Sequence, residues 1–104
     1  MKYVLNWHER PQGSALEYEN VQKRILTLFR QWPMDSTWKI HSFVVRLGEW
    51  GGYILMECND VAALHKFCSA FPGFAFAVNP VLDISDAVRV ELEAIAWREG
   101  VAEG

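Results

Sequence analysis

The sequence lacks any run of basic residues, which argues against partners that depend on clustered positive charge. Ten Lys and Arg stand against thirteen Asp and Glu, giving a formal net charge of −3. Nucleic acids and anionic membrane surfaces both attract concentrated Lys and Arg side chains. We therefore expect neither nucleic acid nor membrane as a partner.

Long apolar runs are also missing. A membrane-spanning helix needs about 20 consecutive apolar residues, and no stretch of this chain approaches that length. The first seven residues are too few and too polar for the apolar part of a signal peptide. The expected location is the cytoplasm.

Cysteine is scarce as well. Cys58 and Cys68 lie ten residues apart, without the spacing of a metal site, and both fall at positions with an apolar, inward-facing pattern. We expect reduced thiols in the core. No metal or cofactor is predicted.

Aromatic residues, in contrast, are abundant: five Trp, three Tyr and six Phe in 104 residues. A chain of this length forms one domain, here residues 1–104, and its 51% hydrophobic content suffices for one core. A small core cannot hide so many large rings. Some rings are expected at a partner surface or in a pocket.

Hydrophobic periodicity and turn residues predict four strands and three helices. Ser14 and Glu17 fit a capping box, apolar residues then recur at helical spacing, and Pro33 prevents continuation, so the first helix is expected over Ala15–Gln31. The other expected elements are strands at 2–8, at 36–47, from Tyr53 and at 74–82, a helix after Asn59 and Asp60, and a helix from Asp83 to about Gly100.

This order predicts an α+β domain of the ferredoxin-like β-α-β-β-α-β type, with a four-stranded antiparallel sheet and an extra C-terminal helix. In that fold both helices cover one face of the sheet. The other face is expected to be too apolar for water. The chain is therefore expected to form a homodimer through this face.

Three segments resemble a small bacterial family of uncharacterised proteins: KYVLNWHERP at 2–11, GGYILMECNDVAALHKF at 51–67 and VNPVLDISDA at 78–87. That family is similar to the dimeric α+β barrel superfamily, which includes antibiotic-biosynthesis-type monooxygenases and muconolactone-isomerase-like enzymes. The resemblance implies a ferredoxin-like fold and a sheet-to-sheet dimer. In the wider superfamily a cofactor-free oxygenase site lies between helices and sheet, but none of the three segments is a catalytic signature.

Strand alternation brings several polar side chains to one face of the predicted sheet. The expected alternation puts His41 on one face of strand two with Lys39, Phe43 and Val45. The candidate cleft residues are Asn6, His8, His41, Tyr53, Glu57 and Asn79. A carboxylate beside an imidazole can act in general acid/base chemistry, which makes Asn6, His8, His41 and Glu57 the catalytic candidates.

Simpler interpretations compete with this site. Glu57 can pair with a cation at the dimer interface while the histidines satisfy local hydrogen bonds. His65 lies off the apolar stripe of its helix, where an exposed or capping role is expected. Trp38, Trp50 and Trp97 suit either a ligand pocket or an interface; we assign Trp38, with Tyr53 and Asn79, to possible ligand binding.

Two functions remain open at this point. The first is a dimeric module that binds a small molecule or another protein. The second is a cofactor-independent enzyme of the monooxygenase or isomerase type, acting on a small aromatic substrate. An enclosed, mostly apolar cleft containing the polar strand residues favours the enzyme, whereas a filled interior or a shallow pocket favours the binding module.

Overall fold

A computed structural model of the chain describes residues 1–102 and has the predicted order of elements. Residues 103 and 104, the end of the predicted domain, lie outside the described part. The strands are β1 (Lys2–Glu9), β2 (Lys39–Val45), β3 (Gly51–Glu57) and β4 (Phe74–Val81), and the helices are α1 (Ala15–Gln31), α2 (Val61–Ala70) and α3 (Ile84–Glu99).

The four strands form one antiparallel sheet in the order β2-β3-β1-β4. The two central strands are therefore β1 and β3, which are not neighbours in sequence. This α+β arrangement is consistent with the predicted ferredoxin-like fold. Pro80 lies in the edge strand β4, and edge strands are where a sheet tolerates proline.

The core lies between the sheet and the helices α1 and α2, and it is rich in aromatic rings. Leu5 in β1 is completely buried, and Trp7 beside it packs against Phe74 with ring centroids 4.9 Å apart. Helix α2 contributes Phe67, whose ring lies 5.2 Å from that of Phe71. We call this side of the sheet the helix face and the opposite side the open face.

Helices α1 and α2 begin where their caps predict. The Ser14 hydroxyl accepts a hydrogen bond from the Glu17 backbone N–H, and the Glu17 carboxylate accepts one from the Gly13 N–H. Asp60 caps α2 by accepting from two backbone N–H groups. Within residues 1–102, no helix has both the length and the apolar content to cross a membrane.

Strand β2 corrects one prediction. A bulge between Ile40 and Ser42 shifts the register against β3, so the simple alternation along the strand is interrupted. Lys39 and His41 lie on the open face, whereas Phe43, after the bulge, faces the core and its ring packs 5.9 Å from that of Trp7. The prediction that His41 shares a face with Phe43 and Val45 was wrong, because a bulge cannot be read from a period of two.

Helix α3 projects away from the rest of the domain. The radius of gyration is 19.1 Å, and the longest dimension is 66 Å. A compact chain of about 100 residues has a radius of gyration of about 13 Å. No residue of α3 is buried, so within the described residues this helix is an arm rather than a layer.

Gly52 is required by the close approach of β2 to β3. A Cβ atom at this position would overlap the Val44 carbonyl group. We expect Gly52→Ala to lower the free energy of unfolding by about 2 to 3 kcal/mol, because the backbone of one strand must move. Urea unfolding followed by tryptophan fluorescence measures the change.

Gly100→Ala is the matched control. A Cβ there meets its nearest neighbour, the Trp97 carbonyl oxygen, at 3.5 Å, which is an ordinary contact. This variant is expected to stay within about 0.5 kcal/mol of the original chain. Equal stabilities of the two variants would contradict the close approach at Gly52.

Candidate functional site

The polar residues predicted to converge lie on the open face, but they do not form one cleft. Asn6 and His8 alternate along β1 with the buried Leu5 and Trp7, so both point away from the helices. Tyr53 lies directly opposite Asn6 in the β1–β3 register. The other candidates on this face are His41, Glu57 and Asn79.

His41 and Glu57 form the first of two polar clusters. The His41 Nε2 atom lies 2.5 Å from Glu57 Oε2, and both side chains are more than one third exposed. This hydrogen bond is the main cause that lowers the pKa of Glu57, and Lys2 and Lys39 act in the same direction. Lys39, two residues before His41, pairs directly with Glu57, so alternation places the imidazole on the same face as this carboxylate.

The second cluster surrounds Arg46, a residue that is not among the predicted candidates. Its guanidinium donates to Asn6 Oδ1 at 3.0 Å and lies 5.2 Å from the centre of the Tyr53 ring. It also forms an ion pair with Glu49 in the β2–β3 turn. The available signal in the sequence was a cation just after β2 and an aromatic residue in β3. Strand alternation alone does not show which residue this cation contacts.

The two clusters are separated along the sheet. Tyr53 and Glu57 are four residues apart in β3, which corresponds to about 13 Å. The apolar pair Val4 and Leu55 lies between them. Asn79 pairs with Val4 from the other side of β1 and makes no side-chain hydrogen bond with either cluster among the described residues. Within residues 1–102, no three His, Cys, Asp or Glu side chains come together as a set of metal ligands.

Trp38, assigned to ligand binding with Tyr53 and Asn79, lies on the other side of the sheet. Its ring packs edge-on to Phe67 of α2, with centroids 5.8 Å apart, and it is partly buried against the core. A ligand held on the open face by Tyr53 would therefore not touch Trp38. Trp97, on α3, is 72% exposed and is not part of the core.

A cleft on the helix face is a second candidate site. It has a volume of about 670 Å³ and opens between α2 and the edge strand β4. We call it the α2–β4 cleft. Its lining residues are Tyr3, Arg10, Val61, Leu64, His65, Cys68, Ser69, Pro72, Phe74, Phe76 and Val78.

The polar groups of this cleft are few. The Arg10 guanidinium makes no hydrogen bond or ion pair with any residue in 1–102. His65 Nε2 lies 3.4 Å from Ser69 Oγ on the next turn of α2. His65 is exposed, which is one of its two predicted roles; it lies within the helix and does not cap it. Burial raises the pKa of the Cys68 thiol, which keeps it protonated at neutral pH and weak as a nucleophile.

The sequence pattern does not indicate this cleft, because its residues come from distant parts of the chain. Arg10 follows β1, His65 and Ser69 lie in α2, and Phe76 belongs to β4. Only the sheet order, with β1 beside β4, brings them together. Cys58 is buried and Cys68 is half-buried, and both are free thiols, as expected from their apolar positions.

Comparison with known proteins identifies a family. Residues 1–95 match the family model described as Domain of unknown function (DUF3303). The chain belongs to this family. The matched region contains the whole sheet, α1, α2 and most of α3, and therefore both polar clusters and the α2–β4 cleft. A search of curated proteins gave no match.

The His41–Glu57 contact predicts a specific titration. We expect the Glu57 carboxyl to titrate below its ordinary value of 4.5 in NMR spectra and His41→Ala to bring it back towards that value. Because the folded-state pKa is the lower one, the stabilising contribution is present above pH 4.5 and disappears as the pH falls through the folded-state value. His65→Ala, on the helix face, is the control and should leave the titration unchanged.

Proposed function

We propose that this protein is a binding module for a small organic anion with an apolar body, held in the α2–β4 cleft. One observation carries the proposal: the Arg10 guanidinium, without a partner in residues 1–102, lies at a cleft whose other lining residues are mostly apolar. Ligand sites are typically concave and mostly apolar, with a small number of polar groups that orient the ligand.

The apolar part of the cleft suits a flat or aliphatic body. Leu64 and Tyr3 are almost completely buried, and Phe74 and Phe76 add aromatic surface from β4. The volume of about 670 Å³ lies within the range of about 300 to 1000 Å³ that is usual for small-molecule sites. Burial of the ligand's apolar surface supplies the non-directional part of the affinity.

Arg10 supplies the directional part. A guanidinium presents a planar fork of donors that matches a carboxylate in two parallel hydrogen bonds, and it remains charged at any physiological pH. His65 and Ser69 lie on the same cleft and offer further hydrogen-bonding atoms. This combination favours a carboxylate over a neutral ligand of the same shape.

The alternative is a cofactor-independent oxygenase or isomerase. Its acid/base groups would be His41 and Glu57, with Asn6 and His8 as further polar residues. These residues lie on the open face, whereas the α2–β4 cleft lies on the helix face, so no ligand in the cleft contacts them. The geometry therefore gives binding more support than catalysis.

Binding of indole-3-acetate, measured by isothermal titration calorimetry, tests the proposal. We expect the original chain to bind this acid and Arg10→Gln to bind it about 10- to 100-fold more weakly, the loss expected for a charge-assisted hydrogen bond of about 1.5 to 3 kcal/mol. The neutral analogue indole-3-acetamide should bind weakly and equally to both chains.

Arg24→Gln is the matched control, since this arginine lies on α1 outside the cleft. Its affinity for indole-3-acetate should equal that of the original chain. An Arg10→Gln variant that binds the acid as tightly as the original chain would rule out the proposed role of Arg10. No binding of aromatic or aliphatic carboxylates by the original chain would rule out the function itself.

A further inference from the structure

Helix α3 carries apolar surface that the rest of its own chain does not cover. Ile84, Val88, Leu92 and Ile95 recur at helical spacing and form one stripe, which we call the α3 stripe. Ile84 is 80% exposed and Leu92 is 62% exposed. A second apolar side contains Val90 and, seven residues later, the exposed Trp97.

A helix in water normally exposes one polar side and buries one apolar side. Apolar residues on two sides of α3 therefore indicate contact with more than one surface. Five of its six charged residues are paired with each other: Arg89 with Asp86 and Glu93, and Arg98 with Glu91; Glu99, at the end of the helix, is in none of these pairs. Such pairs fit between apolar contacts without leaving an unpaired charge in the interface.

The start of α3 lies on the open-face side of the sheet. Asp83, the residue before the helix, does not cap it; its carboxylate accepts a hydrogen bond from Lys2 Nζ at 2.6 Å. Lys2 pairs with Glu57 in the β1–β3 register and belongs to the open face. A body packed on the open face would therefore lie beside the first turn of α3.

The open face is also incompletely covered. Val44 and Tyr53 are 49% and 42% exposed, and Val81 is 37% exposed. These apolar groups alternate with the two polar clusters, so the face is mixed rather than uniformly apolar. Exposed apolar surface rimmed by polar side chains is typical of a protein interface.

We infer that α3 is an arm that packs on a second copy of this chain when two copies associate through their open faces. The inference is independent of the α2–β4 cleft, which lies on the other side of the sheet. In a two-fold arrangement the α3 arm of each copy packs on the other copy, so the same contact occurs twice in the dimer.

Interface area supports a second copy as the occupant. Four strands of seven or eight residues present an open face of about 500 Å², from strand spacing and rise. Stable interfaces bury about 800 Å² per partner, so the sheet alone is too small. A 16-residue helix is about 24 Å long and about 10 Å wide. Each copy makes contact through its own arm and also through the arm of its partner, and the two arms together add about 500 Å² of contact area per copy.

The oligomeric state of the full chain tests the inference. Sedimentation equilibrium should show a dimer, and Leu92→Glu should raise its dissociation constant at least about 100-fold, because a charge then enters an apolar contact. Arg89→Gln changes the net charge by the same amount on the polar side of α3 and is the control. It should leave the dissociation constant within about threefold.

Isotope-filtered NOE spectra of a mixture of labelled and unlabelled chains give the second readout. We expect contacts between the α3 stripe of one copy and the other copy. A monomer at 100 µM, a dimer that Leu92→Glu does not weaken, or NOEs joining the α3 stripe to its own chain would each overturn the inference. Circular dichroism confirms that Leu92→Glu still folds, which is expected because Leu92 is not part of the core.

Discussion

Two helices can cover only one face of a four-stranded sheet, and this constraint shapes every surface of the protein. The covering is built around Leu5 and Trp7 of the central strand β1, with Phe67 and Phe71 contributed from α2 and the segment after it. Once these rings are buried, no apolar helix remains in the core to pack on the opposite face. The open face and the arm α3 are the two consequences.

The same packing creates the cleft. Helix α2 buries Leu64 and Phe67 on the helix face, where the Phe67 ring packs against Phe76 of the edge strand β4. The cleft opens beside this contact and is lined by side chains of α2, β4 and β1. The proposed ligand site and the proposed dimer contact therefore lie on opposite faces of one sheet, so a ligand can be tested without changing the assembly.

Local features were well predicted from the sequence because their physics is local. The limits of α1 follow from the Ser14 cap and from Pro33, and the start of α2 follows from the Asp60 cap. The candidate residues Asn6, His8, Tyr53 and Glu57 also lie on one face, as alternation predicts. Alternation failed in β2, where one extra residue reverses the orientation of everything after His41.

By itself, the sequence determined the order of elements, the caps of α1 and α2 and the alternation of side chains along the strands before the bulge, since each depends on neighbours within a few residues. The tertiary structure decided the rest. Arg46 donates a hydrogen bond to Asn6, forty residues away in the sequence. Arg10 lines the same cleft as His65 and Phe76 only because β1 lies beside β4 in the sheet. The projection of α3 was also a tertiary result, because an amphipathic pattern shows that a helix needs a partner and not where that partner lies.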